Sequence, residues 1–129
     1  VLAEGDDSSD PIVDIARASL DGQVMLSREL ADAAHYPAID LSGSISRVMN
    51  NLLTPELLKS ANQFRRLWTL YQQNQDLIKV GAYDSGANQD LDQAIRLRPQ
   101  MEALLQQSSH ESVSIDDCHT MMQQMTAAQ

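Results

Sequence analysis

Apolar residues in the second half of the chain recur every three or four positions, which is the spacing of one helix face. Thr54 followed by Pro55 marks the start, because a threonine side chain caps the first turn and proline fits the first helical position. The stripe predicts an amphipathic helix of about seven turns. Its members are Leu57, Ala61, Phe64, Trp68, Tyr71, Ile78 and Ala82.

Two further helices are predicted after a polar loop at residues 84–88. The first begins near Asn88, and we expect it to break or kink at Pro99, because proline lacks the N–H that an inner helical turn needs. It resumes over residues 101–106. Ser114 can cap the last helix. The apolar face of this helix carries Ile115, Cys118, Met122 and Met125.

The first part of the chain alternates between short strands and short helices. Residues 1–4 and 23–27 have the apolar runs of buried strands, and residues 12–20 and 29–34 suit short helices. Strand, crossover helix and strand imply a parallel sheet. Since two short strands do not form a stable sheet alone, we expect this part to be the edge of a larger α/β domain.

The predicted fold class is therefore mostly α. A short N-terminal α/β piece occupies residues 1–53, and a C-terminal helical bundle occupies residues 54–129. Aromatic residues make up only 4% of the chain, so leucine, isoleucine and methionine must fill the core. A second interpretation of Met121, Met122 and Met125 is a groove for a partner, because methionine suits adaptable binding surfaces.

Charge excludes several classes of function. The net charge is −9, from 9 basic and 18 acidic residues. With no basic cluster, the chain lacks the electrostatic signature of a nucleic-acid-binding protein, and an anionic membrane surface should repel it. No apolar run is long enough to cross a membrane, and the start does not have the pattern of a signal peptide. The absence of an initiator methionine suggests a fragment or a processed chain.

Motifs for metal binding are weak. The chain has no H-E-x-x-H motif and no paired C-x-x-C motif. One cluster of polar residues contains the residue types that bind metals. Structural zinc sites usually use two or more cysteines, however, and this chain has one. We predict no metal site there. The cluster consists of His110, Asp116, Asp117, Cys118 and His119.

Two residues near the middle of the chain suit nucleotide chemistry. Tyr36 precedes a proline, which holds it in an extended segment, so its ring can serve as a platform for a base. Arg47 follows a run of small polar residues that we expect to form a loop, so its guanidinium can reach phosphate oxygens. The alternative is that both are ordinary surface residues. An acidic loop at residues 5–11 is either a solvated turn or a contact for a basic partner.

Four ordered blocks resemble the C-terminal portion of the type III protein-export ATPases. This family comprises flagellar and injectisome enzymes, which are similar in turn to the catalytic subunits of F-type rotary ATPases. The blocks read VLAEGDDSSDPIVD from residue 1, LDGQVMLSRELA from residue 20, HYPAID from residue 35 and SISRVM from residue 44. The resemblance continues through YQQNQDLIKVGAY, from residue 71, to Leu105, and it does not cover residues 107–129.

The resemblance implies roles for individual residues. Arg47 matches the family's arginine finger, which acts in the nucleotide site of a neighbouring subunit. Tyr36 matches the aromatic residue that stacks on adenine in its own subunit's site. The acidic loop matches the segment that contacts the central stalk, here Asp6, Asp7, Ser8, Ser9 and Asp10.

The resemblance also implies an assembly and its cofactors. The full-length protein is expected to be a homohexamer that hydrolyses ATP with Mg²⁺ and energises protein export. Its partners would be a coiled-coil stalk protein, export chaperones and export substrates, with no nucleic acid. It would be cytoplasmic and peripheral at the cytoplasmic face of the inner membrane. We favour the flagellar branch, although the two branches share these motifs.

Two departures from the family pattern bear on function. Gln23 stands where the family commonly has histidine, and we expect no catalytic consequence. The phosphate-binding loop, its lysine, the magnesium ligand and the catalytic carboxylate are absent from the 129 residues. We therefore expect this chain alone to bind no cofactor and to be inactive.

Two other interpretations compete with the export ATPase. One is a small acidic helical interaction module without a nucleotide role. The other is a subunit of a proton-driven synthase, but the long F-type insert with its acidic stalk-contacting loop is missing between Ala82 and Leu91.

Overall fold

The computed structural model describes residues 9–127, and these are mostly helical with a small sheet in the first part. This confirms the predicted fold class. The elements in chain order are α1 (Pro11–Ser19), β1 (Gly22–Leu26), α2 (Arg28–Asp32), β2 (Ile39–Ser46), α3 (Met49–Leu52), α4 (Pro55–Lys79), α5 (Gln89–Leu105) and α6 (Ile115–Ala127).

Side-chain caps start five of the described helices, α2 among them, because each satisfies backbone N–H groups that have no partner in the first turn. The Asp10 carboxylate accepts from Ile12 N at 2.8 Å and begins α1. Thr54 caps α4, and Asn88 accepts from two backbone N–H groups of α5. The Ser114 hydroxyl accepts from Asp117 N at 3.1 Å. The predicted starts of α4, α5 and α6 are confirmed.

Helix α4 ends three residues before the predicted stripe does. Gly81 has a φ of +70°, a conformation that glycine adopts without a side-chain clash. The Gly81 N–H donates to Ile78 O at 3.2 Å and the Ala82 N–H donates to Leu77 O at 2.9 Å. This pair of bonds is a Schellman cap, so Ala82 lies beyond the helix.

The sheet differs from the sequence-based expectation. Strands β1 and β2 pair antiparallel, with Gly22 opposite Ser46 and Leu26 opposite Ile39. The expected loop before Arg47 is instead the end of β2. The Ser44 hydroxyl accepts from Met25 N at 2.9 Å and donates to Asp40 O at 2.6 Å across an irregular register. The apolar residues Ile39, Leu41 and Ile45 of β2 do alternate with polar ones, but Gly43 interrupts the pattern. The run of serine and glycine at residues 42–44 has the composition of a loop, which explains the wrong prediction. The proposed parallel partner, at residues 1–4, lies outside the described residues.

The hydrophobic core lies between α4, α5 and α6. Trp68 and Met101 are its largest fully buried side chains, so methionine does fill a core poor in aromatic rings. The buried cluster comprises Phe64, Leu67, Trp68, Leu91, Ala94, Leu97, Met101 and Met125. By contrast, Ile12 and Ile15 of α1 are about two-thirds exposed or more, at 71% and 67%.

Pro99 does not break α5, which runs unbroken from Gln89 to Leu105. The prediction of a break was therefore wrong. Pro99 is exposed, so the carbonyl of Ile95, which a proline leaves without its helical donor, can be hydrated on that side. The buried face of α5 packs on α4 and α6 and holds the helix together across the proline.

Candidate functional site

Tyr36 lies in the short connection between α2 and β2. Ser27 caps α2, and the His35 N–H donates to Leu30 O at 2.8 Å, which closes the end of that helix. The peptide bond between Tyr36 and Pro37 is cis. Tyr36 is 56% exposed, so its aromatic ring is accessible to a planar ligand.

The residue before Tyr36 is buried under the helices. His35 is only 8% exposed, and its ring centroid lies 6.4 Å from that of Trp68 at an interplanar angle of 59°. The Tyr36 carbonyl accepts a hydrogen bond of 3.0 Å from Gln107 N. Sequence reasoning missed both contacts. His35 stands beside the candidate tyrosine, but nothing in the sequence singles out Gln107.

Arg47 directly follows β2 in the chain, whereas Tyr36 precedes this strand. Its backbone N–H donates to Asp21 O at 2.8 Å. Its guanidinium donates to Arg17 O at 3.2 Å and to Ala18 O at 3.5 Å, near the end of α1. Within residues 9–127 it has no carboxylate partner. Among the described residues, nothing compensates the charge of this exposed side chain, and its guanidinium has donors that can contact an anion.

Tyr36 and Arg47 are not brought together within one chain. Strand β2 lies between them in the chain, and its ends Ile39 and Ser46 pair with Leu26 and Gly22, the two ends of β1. A five-residue strand such as β1 spans about 13 Å. Arg65 of α4 forms hydrogen bonds with β2. The Arg65 guanidinium donates to Ser44 O at 2.8 Å and to Ser42 O at 3.2 Å, so α4 is tied to β2.

Most of the predicted stalk segment lies outside the described residues, namely Asp6, Asp7 and Ser8. Ser9 is exposed, and Asp10 caps α1. The stalk-contact assignment therefore stays a prediction. Asp10 has in addition a structural role that the sequence analysis did not assign to it.

Within the polar cluster near α6, Asp117 takes part in the helix cap. The Ser114 hydroxyl donates to Asp117 Oδ2 at 2.7 Å as part of the helix cap, and Cys118 is half-buried. Among residues 9–127, no group of three or more histidine, cysteine or acidic side chains is arranged to hold a metal ion.

Two open grooves lie on the helical part. One, of about 640 Å³, lies between α5 and α6 and includes Met121 and Met125 in its lining. Met122 instead packs against the core. The other, of about 440 Å³, is lined by residues of α4 and the start of α5, including Arg65 and Arg66. Arg66 forms an exposed ion pair with Asp90.

The helical part matches a known family model. Residues 53–124, more than half of the chain, match the C-terminal domain of the T3SS EscN ATPase. The chain belongs to this family of type III export ATPases. Residues 1–46 match the nucleotide-binding domain of the ATP synthase alpha/beta family. The resemblance inferred from the sequence blocks is thereby confirmed, and the family match extends beyond them to residue 124.

Two curated relatives of this export-ATPase chain are flagellum-specific ATP synthases. It is 51% identical over 117 residues to the flagellum-specific ATP synthase of Salmonella typhimurium, covering 91% of this chain and 26% of the relative. It is 47% identical over 127 residues to that of Pseudomonas aeruginosa, covering 98% of this chain and 28% of the relative. The chain thus spans about a quarter of the length of these relatives.

Solved structures agree with the fold. The assembled ATPase EscN of the enteropathogenic E. coli type III secretion system matches with a TM-score of 0.93 and 38% identity, over 97% of this chain and 30% of that one. EscN in complex with its central stalk EscO matches with a TM-score of 0.85 and 36% identity, over 89% of this chain and 28% of that one. No helix within residues 9–127 is long and apolar enough to cross a membrane.

Proposed function

We propose that this chain is the C-terminal part of a homohexameric ATPase that energises type III protein export, and specifically flagellar export. The observation that carries the proposal is the order of the two family matches: a nucleotide-binding domain over residues 1–46 is followed by an export-ATPase C-terminal domain over residues 53–124. This order favours an export ATPase over a small acidic interaction module without a nucleotide role.

In this proposal one chain serves two nucleotide sites. Tyr36 stacks on adenine in its own subunit's site, and its exposed ring suits that role. Arg47 reaches the site of the neighbouring subunit and stabilises negative charge as water attacks the γ-phosphate of ATP. The separation of the two residues by β2 supports this division of roles.

The residues of this chain fit a base and a phosphate group better than a metal ion. Tyr36 offers a ring and Arg47 offers a planar guanidinium, whereas the described residues hold no metal-ligand cluster. Mg²⁺, when bound to ATP, would neutralise phosphate charge, and in our proposal its ligands belong to a part of the protein that precedes these residues. The chain alone would then be inactive.

The proposal includes partners. The acidic segment Asp6, Asp7, Ser8, Ser9 and Asp10 would contact a coiled-coil stalk protein. The assembled EscN structure and its complex with EscO support a ring and a stalk in a similar protein. Export chaperones and substrates would contact the helical part, at the cytoplasmic face of the inner membrane.

The test is Arg47→Ala in the full-length protein. We expect steady-state ATP turnover to fall by about 100-fold or more, while nucleotide affinity and ring assembly survive, because an arginine finger acts on the transition state. Lys59→Ala is the matched control, since it removes one exposed cation from α4. Unchanged turnover in Arg47→Ala would contradict the finger assignment.

A further inference from the structure

We infer that Gln107, Trp68 and Arg98 are positioning residues for Tyr36, so that the helical part sets the orientation of the adenine platform. The inference rests on the proposed function and deepens it by naming the residues that link the nucleotide site to α4 and α5. It draws on two independent contacts, which reach the consecutive residues His35 and Tyr36.

The first contact is a main-chain hydrogen bond. Gln107 N donates to the Tyr36 carbonyl at 3.0 Å. Gln107 lies just after α5, and its own side chain donates to Glu111 O at 2.8 Å. Gln106 N still donates to Glu102 O at 2.9 Å in the last turn of the helix. The Gln107 N–H group is therefore held by the end of α5 on one side and by the loop at Glu111 on the other.

The second contact is a stack of side chains beneath His35. The His35 ring lies against Trp68, which is only 2% exposed. The Arg98 guanidinium carbon lies 3.7 Å from the Trp68 ring centroid and 4.5 Å from that of Tyr71. Arg98 Nε donates to Glu102 at 2.7 Å. A cation held over an aromatic face restrains both groups, so Trp68 offers His35 a fixed surface.

Together the two contacts tie the segment before β2 to α4 and α5. Tyr36 itself is exposed, and the structure shows no ring stacked on its side chain within residues 9–127. Its backbone is anchored from the helical side by Gln107 and by the preceding His35. A shift of the α5 C-terminus would therefore move Tyr36. Through this contact, the position of the helices and the binding of nucleotide can affect each other.

Gln107→Pro in the full-length ring ATPase removes the N–H donor and tests the first contact. Gln106 already has the extended conformation, φ −99° and ψ 137°, that a residue before proline requires, and proline is common just after a helix. Gln107→Ala is the matched control, because it loses the bond to Glu111 and keeps the N–H. We expect the KM for ATP to rise about fivefold in Gln107→Pro, from the loss of one hydrogen bond. In Gln107→Ala we expect KM to stay within twofold. In both variants kcat should stay within twofold.

A double-mutant cycle with Tyr36→Ala distinguishes positioning from general damage. Tyr36→Ala alone should raise KM about tenfold through lost stacking, and adding Gln107→Pro should then have no further effect. An equal rise of KM in both backgrounds would overturn the inference and leave the proposed function intact. No change of KM in Tyr36→Ala would instead overturn the proposed adenine role and the inference with it.

Arg98→Lys keeps the inference falsifiable if Gln107→Pro fails to assemble into rings. Lysine retains the charge but lacks the planar group that stacks on Trp68. We expect KM for ATP to rise about threefold with Tyr36 present and not at all with Tyr36→Ala. A rise that is independent of Tyr36, or no rise in either background, would overturn the inference.

Discussion

At the scale of single residues, Asp92 organises the loop between α4 and α5. One of its carboxylate oxygens lies 2.9 Å from the Tyr83 hydroxyl, and the other accepts from Gly86 N at 2.9 Å. Gly86 has a φ of +93°, which favours glycine at this turn. Since Asp92 also lies in the first turn of α5, its negative charge interacts favourably with the helix N-terminus.

This loop predicts a pH dependence of stability. Partial burial, followed by the hydrogen bond to Asp92, raises the pKa of Tyr83 above its ordinary value of 10.0. The folded state therefore holds this proton more tightly than the unfolded state. The stabilisation is fully present below the unfolded pKa, and it is lost as pH rises through 10 towards the folded pKa.

Urea unfolding of the chain between pH 8 and about pH 11 would measure this effect. We expect the free energy of unfolding to fall more steeply in the wild type than in Tyr83→Phe, which has no phenolic proton. Parallel pH profiles for the two proteins would contradict the prediction.

At the scale of the elements, α5 contains a proline, which destabilises a helix, and also a buried face that packs in the core. Pro99 leaves one helical carbonyl without its donor, whereas Leu97 and Met101, on either side of it, are 5% and 1% exposed. Burial of such side chains contributes about 1.5–3 kcal/mol each. Together, the contributions of the two side chains exceed or match the cost of about 3 kcal/mol for proline in a helix, so packing keeps α5 continuous.

Pro99→Ala should therefore stabilise the chain. We expect a gain of about 1–2 kcal/mol in the free energy of unfolding, because alanine restores the donor and relieves the ring clash, less the flexibility that alanine adds to the unfolded chain. Urea denaturation followed by circular dichroism would measure it. Gln100→Ala, at the exposed neighbouring position, is the control and should change stability by less than about 0.5 kcal/mol. A destabilised Pro99→Ala variant would contradict this account of α5.

At the scale of the whole molecule, the placement of Tyr36 and Arg47 beyond opposite ends of β2 has a consequence for assembly. If Arg47 acts in a neighbour's site, an interface is complete when one subunit supplies Tyr36 and the adjacent subunit supplies Arg47. A subunit with one of these two residues substituted therefore removes only that residue from an interface.

Mixed rings of full-length Tyr36→Ala and Arg47→Ala subunits test this arrangement. In a one-to-one random mixture, about a quarter of the interfaces combine an intact Tyr36 with an intact Arg47 from the neighbour. At ATP concentrations well below the KM of the Tyr36→Ala variant, we expect turnover above the mean of the two parent variants. Turnover equal to that mean would show that both residues act within their own subunit.

The candidate site was only partly predictable from sequence. Residue type and local spacing singled out Tyr36 and Arg47, since a ring before proline and an arginine after small residues have a direct chemical meaning. The supporting contacts were not predictable, because Gln107 is separated from Tyr36 by the whole of α4 and α5. Its contribution is a backbone N–H, which every residue except proline has.

The sequence by itself determined the helices α4, α5 and α6, because apolar spacing and capping residues such as Thr54 and Ser114 act over a few neighbouring positions. It also determined the family, through blocks of residues in a fixed order. Tertiary structure decided the antiparallel pairing of β2 with β1, the continuity of α5 through Pro99 and the anchoring of Tyr36. Each of these depends on contacts between distant segments, whose free energy outweighs the local preference of the residues involved.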